Sequence, residues 1–277
     1  CWRARIAVSV NNERDAAADG ELLNVQVGTG SGEVALVGQE ARAIRVTDAE
    51  GTEMLFALSD PDGSPCTEGP IAAGSTLTIP IECPARSTVL YYVYFDNPAA
   101  WRVPDYLDAR MGLVNGDFED GSGTTPTGWA HDTPDEKHRA VWTDENPRSG
   151  KRCVKTIVAD GADPTWIATR QGNLHIVGGA KYVMRAWVKA ENVQGYAGWY
   201  LHVGNQQKSM MLAPMLHGGD GTYDWKEVEV EFTAPPEANR ASLGTVLRGT
   251  GTAWFDLVTF ECLQPGGLHA EAQSVER

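Results

Sequence analysis

The chain has 277 residues, enough for two domains of ordinary size that each bury a core. Its 37 acidic against 23 basic side chains leave a net charge of −14, which repels a phosphate backbone over most of the surface and argues against a nucleic-acid partner. No apolar run reaches the roughly 18 residues of a membrane span, so no transmembrane segment is expected, and without a basic-then-apolar opening the chain is expected to stand without its export signal. Thirty glycines, fifteen prolines and nine tryptophans among short Val/Ile/Thr/Tyr runs predict an all-β protein, two β-sandwiches in tandem.

Residues 1–98 read as the first sandwich. WRARIAVSV alternates with period two, VALVGQEARAIRVTDAEG ends in an acidic-Gly turn, LTIPIEC alternates again, and VLYYVYFDNP is an aromatic and β-branched strand closed by Asn-Pro. A Trp-x-x-Arg opening, a V-x-D-x-x-G turn and a Tyr-Tyr strand ending in Asn-Pro resemble a small β-sandwich domain found near the front of bacterial secreted and surface proteins, which brings no agreed activity with it. Residues 99–112, with a proline and mixed charge, are expected as a linker, with a helical turn at Tyr106 to Arg110.

Residues 113–263 form the second predicted sandwich. Its candidate strands are LVNGDFE, AVWTD, KRCVKTIVA, TWIATRQGNLHI, KYVMRAWVKA, WYLHVGNQ, KEVEVEFTA, ASLGTVLRG and TAWFDLVTFE, and nine short strands close naturally as a jelly roll. LVNGDFEDG and TAWFDLVTFE carry carboxylates at polar positions, which suits a first and last strand lying side by side with Glu119 and Asp256 converging on one hard cation. Residues 264–277 begin with turn residues, then become polar, and are expected as a connector. Of the five cysteines, none forms a CxxC pair, which argues against zinc. Cys66 with Cys83 and Cys153 with Cys262 suit two intradomain disulfides, and free buried thiols suit the sequence equally well; Cys1 reads either as a lipid-modified residue or as the place where a longer chain was cut.

The ordered set LVNGDFEDG, Gly128-Trp129, RSGKRCV, TWIATR, KYVMRAWVKA, TYDWKEVEVEFTAP and TAWFDLVTFE resembles the carbohydrate-binding modules of families 4, 9 and 22 and their relatives, over about 150 residues. The resemblance implies a structural Ca2+ held by the carbonyl of Asp117, the carboxylate of Glu119, the carbonyl of Lys151 and the carboxylate of Asp256; the alternative is that Glu119 and Asp256 only cap turns. Where that family often has a further oxygen ligand before the Ser-Gly-Lys segment, Arg148 stands here. It also implies a sugar site with Trp166 for stacking and Gln206 beside the binding groove. Sugar recognition needs flat apolar faces for pyranose C–H groups and fixed polar groups for hydroxyls. Alternation places Arg170 on the side of Trp166, and puts Tyr200 and His202 opposite a core-facing Trp199, Leu201 and Val203; Arg248 is expected to reach the same cleft.

Core or edge packing is the expected role of Trp187, Trp225 and Trp254, and a solvated sheet face accounts for Arg185 and Lys189. HExxH, GxSxG and P-loop motifs are absent, and GTGSG at Gly28 to Gly32 lacks dinucleotide spacing. The expected function is non-catalytic binding of a polysaccharide or oligosaccharide by the accessory region of a larger enzyme, with an attached catalytic domain, outside the cell or on a bacterial surface. A jelly-roll polysaccharide lyase using Tyr200, His202 and Arg170 on a uronate is the catalytic alternative. A structural spacer or adhesion module is the other.

Overall fold

Ile6, Val8 and Val10, two apart and fully buried, make one face of β1 (Ala4–Asn12) a core face. Leu77, Ile79 and Ile81 do the same for the strand Thr76–Cys83. The computed structural model describes residues 2–102, 107, 112–132 and 135–277. Among the described residues the regular structure is strand apart from one 3-10 turn, and the chain divides into two units, residues 1–111 with 265–277 and residues 112–264. The first contains β1, β2 (Ala18–Gln26), a 3-10 turn (Ala41–Ala43), β3 (Arg45–Thr47), β4 (Glu53–Met54), β5 (Ala57–Ser59), β6 (Thr76–Cys83) and β7 (Ser87–Phe95). The helical turn expected at 106–110 falls, but for Leu107, outside the described residues, as does Cys1.

The second unit runs through β8 (Gly121–Ser122), β9 (Thr125–Pro126), β10 (Ala130–His131), β11 (His138–Thr143), β12 (Cys153–Val158), β13 (Trp166–Ile167), β14 (Thr169–His175), β15 (Lys181–Gly204), β16 (Met215–Thr233) and β17 (Arg240–Gln264). β15, β16 and β17 are long enough to serve in two layers. Register gives a back layer in the order β16-β15-β17-β12-β11, using residues 181–191 of β15 and 251–264 of β17. A front layer uses residues 194–204 of β15 and 240–250 of β17, with β13 and β14 beside β17, and β10 outermost. The two layers are those of a jelly roll. Predicted strands KYVMRAWVKA and WYLHVGNQ are therefore one strand, and so are ASLGTVLRG and TAWFDLVTFE.

The change of layer occurs where Gly195 (φ 118°) and Gly249 (φ 127°) lie against each other. A Cβ at Gly249 would sit 1.8 Å from the carbonyl oxygen of Gln194, and one at Gly195 would sit 2.2 Å from that of Arg248. Between the layers, Trp199 packs on Phe118 at 6.3 Å, Trp129 at 6.4 Å and Phe255 at 5.7 Å between ring centroids, the core expected of Trp199.

The expected first strand, LVNGDFE, is instead an irregular segment with Asn115 (φ 51°) and Phe118 (φ 56°) left-handed. Asn115 accepts from the Asp120 amide and donates to the carbonyls of Asp120 and Thr127, a turn that sends Phe118 into the core. The segment still lies beside β17, since the Val258 amide donates to the Gly116 carbonyl at 2.8 Å.

The expected connector is also a strand. β18 (Leu268–Glu276) pairs antiparallel with β1, from Asn12 opposite Leu268 to Arg5 opposite Glu276, so the first unit has sheets β18-β1-β7-β3-β4 and β2-β6-β5. Cys66, Cys83 and Cys153 are buried free thiols and Cys262 an exposed one. Cys153 lies next to the Val154–Phe255 pair, well short of Cys262 along β17. Among the described residues no helix is long and apolar enough to cross a membrane.

Leu268 is 2% exposed. Leu268→Ala is expected to cost the first unit about 2–5 kcal/mol. Hydrogen exchange is the check: amide protection should fall in β1 and β18 and hold in β15 and β17.

His138 is buried with both ring nitrogens on acceptors, Nδ1 on Asp135 Oδ1 and Nε2 on the Asp163 carbonyl, each at 2.8 Å. Two acceptors require two N–H donors, so the imidazolium is favoured; the Asp163 carbonyl first, then Asp135, raises its pKa. His138 holds Asp135 below the usual carboxylate range. The raised histidine stabilises the fold fully below its unfolded value near 6.5, and that contribution is lost as pH rises through the folded value. The lowered carboxylate contributes only above about 4. The melting-temperature loss caused by His138→Gln is therefore expected to be larger at pH 5.5 than at pH 8.5.

Candidate functional site

Alternation along the front layer sends Ala197, Trp199, Leu201 and Val203 of β15 inward, and Tyr196, Gly198, Tyr200 and His202 outward. On β17, Ala241, Leu243, Thr245 and Leu247 face inward, leaving Arg240, Ser242, Gly244, Val246 and Arg248 outward. Pairing then sets these side chains in rows across the sheet. Trp166, Arg248 and Tyr196 share one row; Val246, Gly198 and His217 the next; Arg170, Gly244, Tyr200 and Met215 a third; Ser242 and His202 a fourth.

The outer face carries its own small hydrophobic cluster. Ala168, Val246 and Tyr200 are buried, with Trp166, Tyr196 and Met215 packed on them and partly exposed. Trp166 meets Tyr200 edge to face at 5.3 Å, and His202 lies against Tyr200 on another side at 4.7 Å. Tyr200 reaches across β17: a Cβ at Gly244 would sit 2.8 Å from its Cε1 and 3.0 Å from its hydroxyl, so glycine leaves the room. The phenol thereby enters the field of Arg170 and Asp132. Burial pushes the Tyr200 hydroxyl up to about 12, and the small pulls of Arg170 downward and Asp132 upward do not reverse it. Burial lowers His202, which favours its neutral form.

Arg170 is exposed and pairs with Asp132 at 3.0 Å. Asp132 follows β10, which is held on β14 by His131: Nδ1 meets Thr169 Oγ1 at 2.7 Å and Nε2 the Thr124 carbonyl at 2.8 Å. A hydroxyl that can donate on one side and a carbonyl that must accept on the other suit a neutral ring, and burial pushes its pKa down.

Trp166, Arg170, Tyr200, His202 and Arg248 thus come together on one face. Tyr200 is only 5% exposed, so its ring supports the surface where a hydroxyl contact was expected. Gln206 lies beyond the strand end, exposed in a turn where Asn205 Oδ1 accepts from the amides of Gln207 and Lys208. Tyr196, Met215, Asp132 and Arg240 were not foreseen. Alternation carried back from Tyr200 through Gly198 would have found Tyr196, and carried back from Arg248 through Gly244 would have found Arg240.

Glu119 and Asp256, two of the four expected cation ligands, both accept from backbone amides of the 148–152 segment. Both Glu119 oxygens accept from the Lys151 amide, at 2.8 and 3.0 Å, and Oε1 accepts from Arg152 at 3.0 Å. Asp256 Oδ2 accepts from the amides of Arg148 and Ser149, and Oδ1 from Leu257. Asp256 is fully buried, which pushes its pKa up to about 6 against those three amides, and the charge of Glu119 adds to the rise. Two carboxylates in one place are the hard-oxygen surroundings a dication suits. Among the described residues no group of three or more His, Cys, Asp or Glu could hold a metal, so the donor set would need backbone carbonyls. Arg148 stacks on Trp187 at 4.2 Å, and Asp117 is exposed.

No protein-family model matches the sequence, and no curated protein matches it. Solved structures similar to this chain include the enzymatically active domain of bacteriophage CBA120 tailspike protein 4 (14% identity, TM-score 0.44), covering 55% of this chain and 21% of that one. The chain therefore spans about a fifth of the tailspike's length. The CBM22-1 xylan-binding domain of Paenibacillus barcinonensis Xyn10C matches at 12% identity and TM-score 0.41, covering 56% of this chain and 97% of that chain. A family 16 carbohydrate-binding module matches at 18% identity and TM-score 0.40, over 53% of this chain and 97% of its own. These are likenesses of low score, and they carry no ligand over to this chain.

Proposed function

We propose that this chain binds carbohydrate without turning it over, through the outer face of the front layer, as the accessory region of a polysaccharide-degrading enzyme acting outside the cell. The observation that carries the reading is the aromatic cluster on that face. Trp166, Tyr196 and Met215 are partly exposed above buried Tyr200, Val246 and Ala168, and Arg170, His202 and Arg248 edge them with donors. An apolar shelf rimmed by a few fixed polar groups matches the amphipathic surface of a pyranose. An attached catalytic domain would gain from the higher local concentration of substrate.

The lyase alternative needs a base on the same face. Burial holds the proton of Tyr200, with its pKa pushed up to about 12, so that reading would need His202, whose neutral form burial favours, as its base. The spacer alternative gives no account of partly exposed aromatics gathered beside arginines on one sheet. Within this reading Glu119 and Asp256, with neighbouring carbonyls at Asp117 and Lys151, hold a Ca2+ that ties the 148–152 loop to both ends of the second unit.

A glycan array on the full chain tests the binding reading, with Trp166→Ala as the control. The variant loses only its packing on Tyr200, Val246 and Ala168, of which the edge-to-face contact is worth about 0.5–1.5 kcal/mol. Glycan retention is expected to fall at least about tenfold, which corresponds to 1.4 kcal/mol of binding, with the melting temperature lowered by a few degrees. Unchanged retention, or no retained glycan for the parent chain, removes the proposal.

Calcium is tested by melting the chain with and without the ion. At 100 times its Kd a ligand specific to the folded state adds about 2.7 kcal/mol, so a rise reversed by chelator is expected. Glu119→Gln should abolish that rise.

A further inference from the structure

On the outer face of the back layer of the second unit four cations have carboxylate partners, Lys155 with Glu145, Lys181 with Glu231, Arg185 with Glu229 and Glu261, Lys189 with Asp224, while Arg139 forms no ion pair among the described residues. On the outer face of the front layer only Arg170 has one, in Asp132. Arg240 and Arg248 form no ion pair among the described residues. Arg248 stands opposite Tyr196 and Trp166 in the sheet, and Arg240 opposite His175 and Gly204. In a chain of net charge −14, this face carries three guanidinium groups against one carboxylate.

Their placement is regular. Arg240 and Arg248 lie at the two ends of the outward row on β17, and Arg170 pairs with Gly244, midway between them. At a strand rise of about 3.3 Å, the three levels are roughly 13 Å apart along β17. Between them lie Ser242, Gly244 and Val246, with Tyr200 lying over Gly244 and Val246 buried in the aromatic cluster.

We infer that the saccharide bound on this face is acidic, a polyuronate whose carboxylates are met by Arg240, Arg170 and Arg248 along β17. This rests on the glycan reading of the same face and names the class of sugar. Guanidinium presents a planar fork of donors that fits a carboxylate bidentately, and it is favoured over hydroxyl contacts alone when the partner is charged. A neutral xylan or galactan would leave Arg240 and Arg248 without an anionic partner. A strongly acidic protein also repels a polyanion at long range, so only a local surplus of positive charge admits one.

Affinity electrophoresis and titration of the full chain separate the outcomes, with polygalacturonate and alginate as charged probes. Fully methyl-esterified polygalacturonate, xylan and galactan are the neutral ones. Expected are binding to a charged probe, roughly fivefold or more weaker binding to the esterified backbone, and loss of the difference in R240Q/R248Q with the melting temperature unchanged. Binding of the charged probe should also weaken severalfold between 50 and 500 mM NaCl. R248K, which keeps the charge and loses the fork, should recover only part of the effect. Equal or stronger binding to neutral polysaccharide, lost in Trp166→Ala, overturns the acidic class and leaves the glycan site standing. Binding to none of the probes or to any array glycan overturns both.

Discussion

Two strands pass through both layers of the second unit, and the fold depends on the place where they do so. β15 and β17 change layer together, with Gly195 and Gly249 packed so closely that neither tolerates a Cβ. Both take a backbone conformation that other residues rarely adopt. Pairing resumes across the bend after a bulge, with Glu191 opposite Thr252 before it and Gln194 opposite Thr250 after it, so the register of the back layer is carried into the front with one fixed offset. A one-residue slip on either side would exchange Trp199 for Tyr200 and turn the core face outward.

That coupling sets the composition of both faces at once. The inward side chains meet in a cluster of Phe118, Trp129, Trp199 and Phe255, which joins the irregular entry segment, the front layer and the back layer. The outward side chains build a second, smaller cluster around Tyr200. Its position is fixed by packing on Val246 and Ala168 and by the space over Gly244, so the polar groups around it stand on a rigid base. The two carboxylates near the other end of the unit act on backbone: five amides of Arg148, Ser149, Lys151, Arg152 and Leu257 are satisfied by Glu119 and Asp256.

Much of this was legible because alternation is a local signal. Trp199, Leu201 and Val203 against Tyr200 and His202 could be read from WYLHVGNQ, and the grouping of Trp166, Arg170 and Arg248 on the outer face followed. The bends were not legible. NVQG and RGTG look like turns that end strands, whereas in the fold they are kinks within continuous strands, which only the contact of Gly195 with Gly249 reveals. LVNGDFE was misread because its apolar residues suit a strand, while Asn115 turns the chain and Phe118 is buried by tertiary packing. In the tail, Leu268 is the one large apolar residue among polar neighbours, too weak a pattern to announce an edge strand whose stability comes from β1.

The return of the chain to its first unit has a consequence for biogenesis. β18 leaves the ribosome only after the whole second unit has been made, so the edge of β1 stays open while the stretch from Phe95 to Leu268 is synthesised. At ~5–20 residues/s that interval lasts roughly 10–35 s. During it, β1 offers an unpaired ladder to any passing strand, and a nascent copy of the same chain is the nearest supplier of one. The polar, acidic character of SVER and HAEA then has a kinetic value: a closing strand that few partners would accept by mistake waits until its own sheet is at hand.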